Sequence, residues 1–145
     1  MGNEIRKYLC LCLLLFLAAC QSVQVSDSSH IKEEEVVTAL QENGVKLAEA
    51  EFPNNVFGQK LGNVKPKTYE LSGKPFFIFE FKTEIERENG EKEFDEKTAT
   101  MDLVSSSTFI KRNILIFYVH EQDFNSGNVP FEKEIQEALD GISEG

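Results

Sequence analysis

All three cysteines of the chain, Cys10, Cys12 and Cys20, lie in its first twenty positions, and no thiol occurs from Gln21 to Gly145. Whatever folds beyond residue 20 does so without a disulfide, a cysteine metal cluster or a cysteine nucleophile. Its stability must come from apolar burial. A hydrophobic fraction of 41% with twelve phenylalanines is enough for one small core, and it separates the chain from disordered sequences, which are poor in aromatics. At 145 residues there is space for one domain beside any targeting segment, which excludes a multidomain enzyme. Fifteen Lys and Arg stand against 25 Asp and Glu, a formal net charge of −10. Binding to nucleic acid rests on clustered cations that displace counterions, so no nucleic acid is expected as a partner.

Arg6 and Lys7 precede an uncharged, mostly apolar stretch from Tyr8 to Ala19, the layout of a secretory signal peptide. As a helix this stretch would span about 18 Å, short of the roughly 30 Å of hydrocarbon that a retained membrane helix crosses. It is therefore read as cleaved. Its end, Leu17-Ala18-Ala19-Cys20, resembles the lipobox of bacterial lipoproteins. That resemblance implies residues 1–19 as the signal peptide, cleavage between Ala19 and Cys20, and a diacylglyceryl group on the Cys20 sulfur. The residue types agree with the chemistry, since small Ala18 and Ala19 let a protease reach the backbone and a thiol is the nucleophile that a thioether requires. The rival reading is an ordinary signal peptide or apolar helix with an incidental cysteine. Buried long acyl chains would hold the protein to a membrane by something on the order of 20 kcal/mol. Loss of Glu4, Arg6 and Lys7 with the leader takes the formal charge to −11.

Residues 20–30 read as the lipidated cysteine and a flexible tether: Gln21 to His30 is polar, serine-rich and without helical period. Ten such residues reach about 18 Å, which keeps the body near the headgroups. Residues 31–145 form a single domain. Val36, Val37 and Leu40 repeat at helical spacing between Ile31 and Asn43, with Glu33 to Glu35 at the positive end and Asn43-Gly44 as a stop. Val45 to Leu47 starts a weak strand, and Phe52 to Gly62 reads mostly as loop. Lys67 to Leu71 and Phe76 to Lys82 are strands joined through Ser72-Gly73-Lys74-Pro75.

Residues 84–101 admit a helix or a hairpin. Thr83 and Glu86 fit a capping box and Phe94, Thr98 and Met101 share a helical face, whereas Asn89-Gly90 favours a turn but lacks alternating neighbours. The helix is preferred, weakened at Gly90. Phe109 to Val119 follows, with Ile114 to Val119 as the central strand. Pro130 opens a last helix with Phe131, Ile135, Leu139 and Ile142 as its stripe.

This order predicts an α+β fold: a two-layer sandwich of a small mixed β-sheet and about three helices, with a right-handed parallel crossover from Phe76 to Val119. Phe77, Phe79, Phe94, Leu115, Phe117, Ile135 and Leu139 lead the expected core. Four pieces, Tyr69-Glu70-Leu71, Phe76 to Phe81, Arg87 to Thr98 and Asn113-Ile114-Leu115-Ile116, together resemble small uncharacterised lipoproteins of Gram-positive bacteria. The likeness spans most of residues 31–142 and implies fold and location only.

Sites for chemistry are sparse. His120 next to Glu121 and Asp123 could move a proton at a strand end, against the plainer reading of a strand terminus facing solvent. No histidine pair has metal-ligand spacing. Asp123 to Asn128 with Glu134 partly matches a calcium loop, but Gly127 stands where a ligand is needed and Asn128 where the sharp turn needs glycine. Seven acids from Glu84 to Glu96 could dock a basic partner or line a solvated helix face with Glu88 and Lys92 paired. Lys60, Lys65, Lys67 and Lys74 make a local positive patch that could meet anionic headgroups or wall polymers. Ser105 to Ser107 lacks a nucleophile elbow, and the glycines form no phosphate-binding loop.

No catalytic, cofactor-binding or metal residue is assigned from the sequence, and no cofactor is expected. The expectation is a non-enzymatic interaction or accessory module on the extracytoplasmic face of the cell membrane, bound through a lipid on Cys20, with an envelope protein as its partner. A small-ligand sensor or carrier and a wall-proximal hydrolase are the alternatives.

Overall fold

The structure is a computed structural model that describes residues 30–121 and 128–143. Among the described residues three helices and five strands follow the order α1 (Glu33–Glu42), β1 (Ala48–Glu49), a 3₁₀ turn at Val56–Gly58, β2 (Lys67–Leu71), β3 (Lys74–Glu80), α2 (Glu84–Thr98), β4 (Ser107–Lys111), β5 (Ile114–Tyr118) and α3 (Glu132–Gly141). The strands make one sheet in the order β1-β2-β3-β5-β4. The α+β class and the three helices are as the sequence predicts.

Two expectations are corrected. Every strand pair is antiparallel, including β3 with β5, where Phe76 faces Tyr118 and Glu80 faces Ile114. The parallel crossover fails because Phe109 to Val119 is not one strand. Arg112 takes a left-handed conformation at φ 50°, the chain reverses at Arg112-Asn113, and Ile114 to Tyr118 returns against β4. The second strand after α2 thus enters the sheet in the opposite direction to the first. Layering differs as well, because helices lie on both faces of the sheet.

On one face Val36 and Leu40 of α1 and Ile135, Ala138 and Leu139 of α3 pack with Phe76, Ile78, Ile114, Ile116 and Tyr118. On the other, Phe94 of α2 and Phe57 of the 3₁₀ turn pack with Phe77, Phe79, Leu115 and Phe117. Strands buried on both faces need not alternate, which is why β5 reads as an unbroken apolar run and all five of its residues are buried. All seven expected core residues are buried, divided between the two faces. The second face is an aromatic cluster: Phe94 and Phe117 have ring centroids 4.4 Å apart, and Phe57 meets Phe117 edge-on at 5.6 Å.

Local chemistry sets the elements. Ser72 and Gly73 both have positive φ, the requirement of a type I′ hairpin between β2 and β3. The Thr83 hydroxyl accepts from the Glu86 amide at 3.1 Å and starts α2. The Glu86 carboxylate accepts from the Lys82 amide instead of completing a box on Thr83. α2 ends at Thr98, so Met101 lies beyond it and is exposed. Gly90 has a packing reason inside α2: a Cβ there would stand 2.5 Å from the Phe81 ring, so glycine is what lets helix and sheet approach. Pro130 sits in a turn ahead of α3, which begins at Glu132 after a left-handed Phe131.

Candidate functional site

The first described residues are bound to one end of the sheet. The Asn113 carboxamide, buried in the β4–β5 turn, accepts from the Ile31 amide at 2.8 Å and donates to the Ile31 and Phe81 carbonyls at 2.9 and 2.8 Å. The Glu80 carboxylate meets the His30 ring at 3.0 Å and accepts from the Glu33 amide, at the start of α1, at 2.8 Å. His30 Nδ1 lies 3.3 Å from the Lys82 carbonyl. Glu33, itself buried, accepts from the Tyr69 hydroxyl. Burial, together with that carboxylate, pushes the Tyr69 phenol well above its ordinary range, so it stays neutral and donates. His30, read as the last residue of the tether, is therefore attached to the body. Asn113 and Glu80 escaped the sequence reading; the signal for Asn113 was the polar break Lys111-Arg112-Asn113 between Phe109-Ile110 and the apolar run from Ile114 to Val119.

His120 and Glu121, neighbours in the sequence, turn to different partners. His120 is buried, with Nε2 3.3 Å from the Ser107 hydroxyl and its ring edge-on to Tyr118 at 5.6 Å. Burial holds its imidazole below the ordinary range, with the Glu132 carboxylate opposing. Glu121 instead pairs with the Lys74 ammonium, and Asp123 lies outside the described residues. His120 also corrects the expectation of a solvent-facing strand end. The calcium-like loop falls largely on residues 122–127, outside the described ones. Among the described residues no three His, Cys, Asp or Glu side chains gather as a metal ion would need.

The acids of α2 mostly pair within the helix: Arg87 with Glu91, Lys97 with Glu93 at 2.6 Å, and Lys92 with Glu96 at 3.8 Å in place of the expected Glu88. Glu93 also accepts from the Gly62 amide at 2.6 Å, and the Lys97 and Gly62 donors hold its carboxyl below the usual range. The four lysines do not form one patch. Lys67 opens β2 and Lys74 opens β3, so they stand a strand apart, about 13 Å. The Lys60 carbonyl accepts from Lys97.

A cleft of about 310 Å³ opens between the turn at residues 61–64 and α2, lined by Leu61, Val64, Phe81, Lys82, Glu86 and Glu93 among others. It joins an apolar floor to both signs of charge. Ala19 and Cys20 lie outside the described residues. Among the described residues no helix is long and apolar enough to cross a membrane. Comparison with models of known protein families, with curated proteins and with solved structures finds no match to this chain.

Proposed function

We propose that the chain is a lipid-anchored interaction module on the outer face of the cytoplasmic membrane, acting by binding another envelope protein. The observation that carries this reading is Leu17-Ala18-Ala19-Cys20 at the end of a short apolar leader that follows Arg6 and Lys7. Support comes from the start of the body: His30 and Ile31 are bonded to Glu80, Lys82 and Asn113, so the nine residues after Cys20 lead directly into a rigid end of the sheet. A tether of that length keeps the body within about 18 Å of the bilayer. The buried face of each helix is occupied by the sheet, which leaves binding to the exposed edge and helix flanks.

Fractionation of cells expressing the wild type and Cys20→Ser, with lysine-reactive crosslinking of intact membranes, tests the reading. It requires the wild type in the membrane fraction, Cys20→Ser released or left unprocessed, and a discrete crosslinked species. A wild type that fractionates with the cytosol, or that crosslinks to nothing, contradicts it.

The cleft at Leu61, Val64 and Phe81 favours a second reading, a small-ligand carrier, because its volume stands at the lower end of ligand pockets. Native mass spectrometry would then find a bound small molecule that Val64→Trp releases; an unliganded protein in every preparation would count against it.

A further inference from the structure

β4 is an outer strand of the sheet, and among the described residues no strand pairs with its free side. The two-residue turn makes Lys111 and Ile114 partners across the β4–β5 ladder. The Ser105 carbonyl accepts from the Glu121 amide at 3.0 Å on that same inner side. Alternation along an extended chain then directs the N–H and C=O groups of Ser106, Thr108 and Ile110 outward. Exposed edges are usually guarded by charge, proline or a bulge. Lys111 closes β4 and alternates onto the face of Phe109, away from Ile110, while the eight residues before it, Leu-Val-Ser-Ser-Ser-Thr-Phe-Ile from Leu103 to Ile110, carry no charge and no proline in a chain whose residues are 28% charged. Val104 and Ile110 are 50% and 43% exposed.

One flank of α2 stands beside this edge. Arg87 Nε donates to the Arg112 carbonyl at 2.8 Å, which turns that flank toward the end of β4. At about 100° per residue Glu84, Glu88, Glu91 and Asp95 share it, while Glu93 and Lys97 face the opposite way, onto Gly62 and Lys60. Glu84, Glu88, Glu91 and Asp95 share this flank with Arg87, which pairs with Glu88 at 3.4 Å and with Glu91, beside the uncharged strip of Leu103 to Ile110.

We propose that the β4 edge binds an extended basic segment of another protein by strand addition, with its lysine or arginine stems over Ile110 and their charged ends at Glu88 and Asp95. The inference rests on the interaction-module reading and names the partner's chemistry. A second copy is disfavoured as the occupant, because pairing β4 with itself about a twofold axis would bring two acidic flanks together.

The test uses full-length protein in a neutral detergent and a fluorescent peptide, Lys-Val-Lys-Val-Lys-Val-Lys, with Glu replacing each Lys in the control. Thr108→Pro removes an outward N–H while leaving the β5 side intact. Glu88→Lys combined with Asp95→Lys reverses charge on exposed positions and keeps the fold. The expected result is saturable anisotropy for the basic peptide only, weakened about tenfold or more by each variant and by added salt. No saturable binding, equal binding of the acidic peptide, undiminished binding by the charge variant, or a dimer in sedimentation that Thr108→Pro dissolves would overturn it. A lipid-modified protein whose crosslinks lie away from β4 would remove this edge and leave the module reading standing.

Discussion

The carboxamide of Asn113 satisfies three backbone groups at one end of the sheet, and no other natural side chain of that size both accepts and donates in this way. Asn113→Ala would leave the Ile31 amide and the Ile31 and Phe81 carbonyls unpaired, at an expected cost of about 2–4 kcal/mol, read from the urea midpoint. Asn113→Asp keeps the acceptor and loses both donors, so it too should destabilise. His120 predicts a pH dependence. Its neutral form is favoured in the fold, so the unfolded chain takes up the proton first, and stability falls as pH drops through about 6.5. Unfolding curves at pH 7.5 and 5.5 should show a larger loss in the wild type than in His120→Gln; equal losses would refute the assignment.

Among the elements, those with an undisguised period were legible. The apolar stripes of α1 and α3 and the type I′ hairpin at Ser72-Gly73 follow from local chemistry that tertiary contacts only reinforce. The β4–β5 turn was not, because Arg112 and Asn113 carry no glycine signal and the left-handed Arg112 is held by surroundings: its carbonyl accepts from Arg87, far along the chain. Missing that reversal produced the parallel crossover. Of the candidate site, Glu80 and Asn113 could not be read from the sequence, since their partners are 47 and 82 residues away, and the leader and Cys20 lie outside the described residues. Gly90 looked like a weak point of α2 and is a contact point. Gly90→Ala gains about 1 kcal/mol of helix propensity but sets a methyl 2.5 Å from the Phe81 ring, an overpacking cost of about 1–3 kcal/mol. Thermal unfolding should show a net loss, and Gly90→Ala with Phe81→Leu should cost less than the sum of the two single changes.

For the molecule as a whole, one thin sheet serves two cores. Phe77, Phe79 and Phe117 point to one face and Phe76, Ile78 and Ile116 to the other, so the described residues, which include no cysteine, bury most of their large apolar side chains against five short strands. The end of that sheet nearest residue 30 is tied down by His30, Glu80 and Asn113, and among the described residues the outer side of β4 has no strand partner. A body tied together at that end, with an exposed edge at β4, fits the proposed role of an envelope binding module. Intact-mass spectrometry of the protein extracted from membranes tests that account most directly. It predicts a chain that begins at Cys20 and carries a diacylglyceryl group on that sulfur; a mass that retains residues 1–19, or a free thiol at Cys20, would contradict it.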